Sequence, residues 1–83
     1  MSQYVYDVFR MARMENGDCT LSSSENPELP VDHYDVLVWV VGDDGARLQD
    51  DPVYEFEGLA AGDVPVVEQI LVENLGAEYG ETV

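Results

Sequence analysis

Six carboxylates between residues 42 and 58 give the sequence its clearest chemical character. The stretch reads GDDGARLQDDPVYEFEG and contains a single arginine beside them. We call the six the acidic run: Asp43, Asp44, Asp50, Asp51, Glu55 and Glu57. Carboxylates at such density can coordinate a cation, act in pairs as acid and base, or attract a basic protein surface.

A calcium site is one interpretation of the paired aspartates. An EF-hand loop has carboxylates at its first, third and fifth positions and glycine at its sixth. If Gly45 is the sixth residue, Val40 is the first and Gly42 the third, so the motif is not present. The single cysteine also excludes a zinc site with paired thiols. We predict no metal and no cofactor, with solvated turns or weak cation binding as the open interpretations of the aspartate pairs.

Catalytic side chains are scarce. His33 is the sole histidine, and although Asp32 or Asp35 can pair with it, a nucleophilic relay needs further partners. A glycosidase-like pair of carboxylates has 18 acids to draw on, but no pocket is implied. The phosphate-cradling patterns GxGxxG and GxxxxGK do not occur. We therefore predict a surface histidine and a chain that is not an enzyme.

The first element is predicted to be a β-hairpin around Asn16-Gly17, the preferred pair for a two-residue type I′ turn. Pairing outward from that turn places Met14 opposite Cys19 on the apolar side of the hairpin. Cys19 is then expected to be a small buried residue rather than a nucleophile. A helix over residues 3–15 is the alternative for the segment before the turn.

Three further strands are predicted after a loop rich in proline and serine. The segment YDVLVWVVG is apolar on both faces, which is typical of a strand in the centre of a sheet. GDDG is predicted to be a turn and ARLQD a short returning strand. PVYEFEG alternates, so its two aromatic side chains and its two glutamates should lie on opposite faces.

A helix is predicted from about residue 64 to residue 75. Asp63 is placed to cap it and Gly76 to end it. Its apolar stripe, expected to pack against Val38 or Trp39, consists of Val67, Ile70, Leu71 and Leu75. The tail AEYGETV is expected to be mobile, although Tyr79 could fold back.

These elements predict a single α+β domain over residues 1–83. We expect an antiparallel sheet of four or five strands with one C-terminal helix packed on one face. Part of the other face should stay exposed, because one helix cannot cover both. With no signal-peptide pattern and no long apolar run, we expect a soluble, cytoplasmic protein.

Net charge is the outlier of the composition. The chain has 18 Asp and Glu, three arginines and no lysine, for a formal net charge of −15. Self-repulsion at this density opposes compaction unless salt screens it or a cationic partner receives it. Direct binding to nucleic acid or to an anionic membrane is not expected. The partner we expect is a basic nucleic-acid-binding protein or complex, such as a host defence effector.

The spacing of two acids in the run points to the same kind of partner. Glu55 and Glu57, two apart on a strand, present carboxylates roughly 6.5–7 Å apart, about the interval between adjacent phosphates. In size, charge and lack of catalytic motifs the chain resembles the acidic DNA-mimic inhibitors of phages and mobile elements. That class includes anti-CRISPR proteins, restriction inhibitors and the uracil-DNA glycosylase inhibitor. The resemblance implies binding through the acidic run to a surface built for nucleic acid.

Salt adaptation is the alternative source of the charge. Halophilic proteins replace lysine with acids over their whole surface, and here acids extend from Asp7 to Glu81. On that interpretation the chain is a small regulatory or adaptor domain, and its acidity reflects the surrounding solution. The amino-acid composition of neighbouring genes distinguishes the two interpretations, because a salty environment would make all of them acidic.

Overall fold

Five strands and one helix form an α+β fold in the computed structural model, which describes residues 3–22 and 28–83. The strands are β1 (Gln3–Arg13), β2 (Cys19–Leu21), β3 (His33–Val41), β4 (Tyr54–Leu59) and β5 (Glu78–Thr82). The helix α1 (Val64–Leu75) follows a short 3-10 turn (Ala61–Asp63). The predicted architecture is therefore confirmed. The alternative of a helix over residues 3–15 is wrong, because β-branched and aromatic residues place that segment in a strand.

The sheet is built around β1 and β3. Its order is β2-β1-β3-β4, and all of these pairs are antiparallel. The apolar strand β3 lies between β1 and β4, as its two-sided pattern predicts. The C-terminal segment is not a mobile tail, because β5 pairs in parallel with β1 along the edge that β3 leaves open.

The hairpin has a different register from the predicted one. Met14 donates its N–H to the carbonyl of Asp18 at 2.8 Å, so the loop contains three residues rather than two. Within the described residues only glycines have positive φ, and Gly17 is one of them at φ 90°. A type I′ turn needs positive φ at both central residues, so it does not form at Asn16-Gly17. The slip by one residue exposes Cys19, which makes the prediction of a buried cysteine wrong.

The main core lies between α1 and one face of the sheet. Its fully buried aliphatic side chains are Val36 and Val38 of β3, with Leu71 of α1 packed into the same cluster. The apolar stripe of the helix is rotated from the predicted one, because Val64 is buried while Ile70 is 49% exposed. The prediction that Ile70 belongs to the core is therefore wrong.

The ends of the helix follow the predicted residues, with one change. Gly76 adopts the left-handed conformation and donates its N–H to the carbonyl of Val72 at 3.0 Å, and Ala77 donates to that of Leu71 at 3.3 Å, which ends the helix. Asp63 occupies the N-terminal boundary but makes no side-chain capping bond, because the preceding 3-10 turn already gives it helical backbone angles. Its predicted role as a cap is wrong.

The face of the sheet opposite α1 is partly covered by residues 42–53. Trp39 and Val41 of β3 are buried there, and Asp7 of β1 is 3% exposed. The covering segment does not contain the predicted strand ARLQD; it forms an isolated bridge between Arg47 and Val41 and single backbone bonds to β3. The guanidinium of Arg47, rather than a backbone ladder, covers the ring of Trp39.

Two aspartates on that face each stabilise an irregularity in a neighbouring strand. Opposite Tyr6 and Val8 of β1, the paired strand β5 has one extra residue, and Asp7 accepts the N–H of Glu81 at 3.1 Å. Between Tyr34 and Val36 of β3, the paired strand β4 likewise has one extra residue, and Asp35 accepts the N–H of Gly58 at 3.1 Å. A carboxylate thus replaces the ladder bond that each bulge interrupts.

Candidate functional site

The acidic run lies along one edge of the sheet. Leu48 donates to the carbonyl of Val40 at 3.0 Å, and Val53 donates to that of Val38 at 2.7 Å, before β4 continues the pairing. The backbone therefore meets the edge of β3 opposite β1 at Leu48 and again from Val53 to residue 59, while residues 49–52 loop out between these attachments. The six carboxylates belong to this segment and to the turn that leads into it, and all six residues are exposed.

Asp43 and Asp44 stand in a tight turn at the end of β3. Gly45 donates its N–H to the carbonyl of Gly42 at 2.9 Å, and its φ of 81° requires glycine. Asp44 accepts the N–H of Ala46 at 3.0 Å, so one of its oxygens helps to build the turn. Asp50 and Asp51 lie in the irregular segment between the turn and β4.

Glu55 and Glu57 lie on β4, but the strand is regular for only part of its length. Glu55 is opposite Leu37, and Phe56 is opposite Val36. After Phe56 the bulge places Glu57 and Gly58 together opposite Asp35. The predicted phosphate-like spacing of Glu55 and Glu57 requires a regular strand through Glu57. Because the bulge interrupts the strand there, the two carboxylates share one edge of the sheet but do not follow the regular spacing.

Arg47, the only arginine of residues 42–58, is engaged by groups outside the acidic run. Its Nη2 lies 2.8 Å from Oδ2 of the buried Asp7. Its guanidinium carbon is 3.7 Å from the ring centroid of Trp39, in cation–π contact. The positive charge of Arg47 is therefore balanced by Asp7, which lies outside the acidic run.

His33 lies between two aspartates at the start of β3. Its Nδ1 is 2.9 Å from Oδ2 of Asp32, and its Nε2 is 3.8 Å from Oδ1 of Asp35. The hydrogen bond with His33 holds the pKa of Asp32 below its usual value, and Arg13 contributes in the same direction. The side chain of His33 is only 13% exposed, so the predicted surface histidine is largely covered. In the described ranges, no group of three or more His, Cys, Asp and Glu is placed to hold a metal.

A cleft between α1 and β5 was not found from the sequence. It has a volume of about 520 Å³, and its lining includes Tyr6, Tyr34, Tyr79 and Glu68. Tyr6 donates its hydroxyl to Oε2 of Glu68 at 2.8 Å. Burial, followed by the hydrogen bond and the charge of Glu68, raises the pKa of Tyr6 to about 12.

The cleft depends on contacts between distant parts of the chain. Tyr6 and Glu68 are 62 residues apart, and Tyr79 reaches the cleft only because β5 pairs with β1. The available sequence signal was Glu68, which lies beside the apolar stripe of the helix. Its partner could not be deduced without the parallel pairing of β5.

Among the described residues, no helix has the length and apolar character needed to cross a membrane.

Comparison with known proteins identifies no relative of this chain. No protein-family model matches the sequence, and no curated protein or solved structure is significantly similar to it.

Proposed function

We propose that this protein is a non-enzymatic inhibitor that occupies a positively charged nucleic-acid-binding surface of a partner protein. One observation carries the proposal: six exposed carboxylates line one edge of the sheet while the only arginine among them is paired with the buried Asp7. The edge therefore presents dense negative charge without a neutralising cation from its own segment. A site lined with arginine and lysine attracts such a surface in the same way as it attracts a phosphate backbone.

The architecture supports this mode of action. Hydrogen bonds to β3 hold the segment at Leu48 and Val53, and β4 continues that attachment. Charges on a pre-organised segment bind with a smaller loss of conformational entropy than charges on a flexible chain. The net charge of −15 also disfavours direct binding to nucleic acid, so the partner in this proposal is the basic protein itself.

Capture from a host lysate followed by competition tests the proposal. Proteins retained by the immobilised chain at about 0.15 M salt should be released in concentrated salt, because the contact is electrostatic. A captured protein should bind DNA or RNA, and the free chain should displace that nucleic acid. Retained proteins with no affinity for nucleic acid, or binding that nucleic acid leaves unaffected, would contradict the proposal.

Salt adaptation is the second candidate, and the distribution of acids favours it. Exposed carboxylates also occur far from the acidic run, on the hairpin loop, the helix and β5: Glu15, Asp18, Glu73, Glu78 and Glu81. A whole-surface excess of this kind keeps a protein soluble in molar salt and implies no particular partner. The two candidates differ in the salt concentration that folding requires.

A further inference from the structure

The cleft between α1 and β5 combines aromatic rings with a carboxylate. Tyr6, Tyr34 and Tyr79 supply the rings, and Glu68 supplies the carboxylate. Tyr6 and Tyr79 meet edge to face, with their ring centroids 5.7 Å apart. The volume of about 520 Å³ is in the range of sites that take a small ligand or one side chain.

Glu68 is held in place without a cation from the described part of the chain. Its Oε2 accepts the hydroxyl of Tyr6 at 2.8 Å, which orients the carboxylate at the cleft. In residues 3–22 and 28–83 the arginines are engaged elsewhere: Arg10 with the Val83 carbonyl, Arg13 with Asp32, and Arg47 with Asp7. Arg10 lies on the same side of β1 as Tyr6, but it does not line the cleft.

The opposite face of the sheet shows the same combination of groups with its cation present. There the guanidinium of Arg47 lies over the ring of Trp39 and forms an ion pair with Asp7 at 2.8 Å. A guanidinium suits such a site because its flat faces stack on aromatic rings while its N–H groups bond to a carboxylate. The cleft between α1 and β5, which we call the tyrosine cleft, has the rings and the carboxylate but takes no arginine from the described chain.

We propose that this cleft binds a guanidinium group, and that its natural occupant is an arginine side chain of the partner protein. The identity of the occupant rests on the proposed function, whereas the affinity for guanidinium does not. Arginine fits better than lysine, since the ammonium of lysine cannot stack as a plane and is more strongly hydrated. The cleft would then add a specific anchor to the unspecific attraction of the acidic run.

Binding of a small arginine derivative to the free protein tests the first part directly. N-acetyl-arginine methylamide should cause saturable NMR shifts at the amides of Ala61, Tyr79 and Thr82, which line the cleft. N-acetyl-citrulline methylamide has nearly the same shape and no charge, and should cause none that saturate. Absence of saturable shifts with the arginine derivative, or equal shifts with citrulline, would overturn the proposal.

Two variants that each remove one negative charge show whether the arginine derivative binds at the cleft. Glu68→Gln keeps an oxygen for the hydroxyl of Tyr6 and removes the charge, so it should weaken arginine binding about tenfold. Glu73→Gln removes the same charge from an exposed position on the same helix, where the amide of Gln69 bonds to Glu73 at 3.0 Å, and should leave binding unchanged. Equal effects of the two variants would show that overall charge, not the cleft, attracts the derivative.

Failure of this inference and failure of the proposed function are distinguishable. If Glu68→Gln loses the arginine derivative but retains the captured partner at full affinity, the cleft binds guanidinium and the partner does not use it. If the derivative never binds while neutralising the acidic run abolishes capture, the proposed function stands without the cleft. Both parts are supported only if Glu68→Gln weakens both ligands and Glu73→Gln weakens neither.

Discussion

At the scale of single residues, Asp7 connects the two outer segments of the fold. One of its oxygens accepts the N–H of Glu81 in β5, and the other pairs with Arg47 of the segment that carries the acidic run. A buried carboxylate is costly unless its partners satisfy it. The sequence DVF gives no sign of this role, because Arg47 is 40 residues away.

Gly80 provides the space that Asp7 needs. A Cβ added at Gly80 would clash with Oδ1 of Asp7 and lie 3.1 Å from the carbonyl oxygen of Tyr6. Gly80→Ala should therefore displace β5 and lower the free energy of unfolding in urea by about 1–3 kcal/mol. Gly62→Ala, where no atom lies within 4 Å of the added Cβ, is the control and should cost nothing. Equal stability of the two variants would mean that β5 does not pack on Asp7.

Tyr6 makes stability depend on pH at the alkaline end. Its pKa is raised from 10.0 to about 12 in the fold. As the pH rises, the hydroxyl of Tyr6 loses its proton in the unfolded chain before it does so in the fold. The contribution of the protonated Tyr6 to the free energy of unfolding is therefore complete below about pH 10 and is lost as the pH rises to about 12. Over this range the free energy of unfolding should fall by about 2–3 kcal/mol through Tyr6.

Urea unfolding at a series of alkaline pH values checks this prediction against Tyr6→Phe. The variant keeps the ring but has no proton to lose, so its stability should fall less steeply between pH 10 and 12. Ionisation of the other tyrosines affects both proteins. Parallel pH profiles would show that Tyr6 ionises as it does in the unfolded chain.

At the scale of elements, local signals determine what the sequence can predict. The bounds of α1 follow from Pro65 near its start and Gly76 at its end, and the central place of β3 follows from its two apolar faces. The exposure of the acidic run is likewise a local property, since paired carboxylates in turns face water. These features need no knowledge of the rest of the chain.

Features that depend on distant contacts are the ones that the sequence predicts wrongly or not at all. The hairpin register depends on a choice between a two- and a three-residue loop, and Asn16-Gly17 is compatible with both. The pairing of β5 with β1, the partner of Arg47 and the tyrosine cleft all join residues that are far apart in the chain. The rotation of α1 is set by the sheet beneath it, so the stripe pattern alone did not exclude Ile70 from the core.

The orientation of α1 predicts a sharp contrast between two neighbouring residues. Leu71 is 2% exposed, so Leu71→Ala should lower the free energy of unfolding by about 2–4 kcal/mol. Ile70 is 49% exposed beside a shallow groove lined by Tyr54 and Phe56, so Ile70→Ala should cost only about 0.5–1 kcal/mol. Chemical denaturation of both variants checks this. Similar losses would mean that the helix is rotated toward the sequence-based stripe.

At the scale of the whole molecule, charge separates the two candidate functions. The chain carries 18 acids against three arginines, and all three arginines are engaged within the described chain. An inhibitor must nevertheless fold at ordinary ionic strength. A salt-adapted domain can depend on molar salt to screen its own repulsion.

Circular dichroism across a salt series tests this difference. At about 0.15 M salt, where the Debye length is roughly 8 Å, we expect the spectrum of a folded α+β protein. Concentrated KCl should then add stability without changing the spectrum. A largely unfolded spectrum at the lower salt that recovers in concentrated KCl would favour salt adaptation over inhibition.

The proposed function depends on where the charge lies, not on how much there is, so its test requires two variants of equal net charge. The first replaces the acidic run with Asn and Gln. The second neutralises six exposed acids elsewhere: Glu15, Glu28, Asp63, Glu73, Glu78 and Glu81. Both remove six negative charges, so overall electrostatic attraction falls equally in the two.

Competition between each variant and DNA for the captured partner decides whether the acidic run is the interface. We expect the variant without the acidic run to remain folded, lose the partner and no longer displace DNA. The charge-matched variant should bind only slightly less tightly than the parent, since rim charges chiefly affect the rate of association. If the two variants lose affinity equally, or if the first competes as well as the parent, the acidic run is not the interface and the account is wrong.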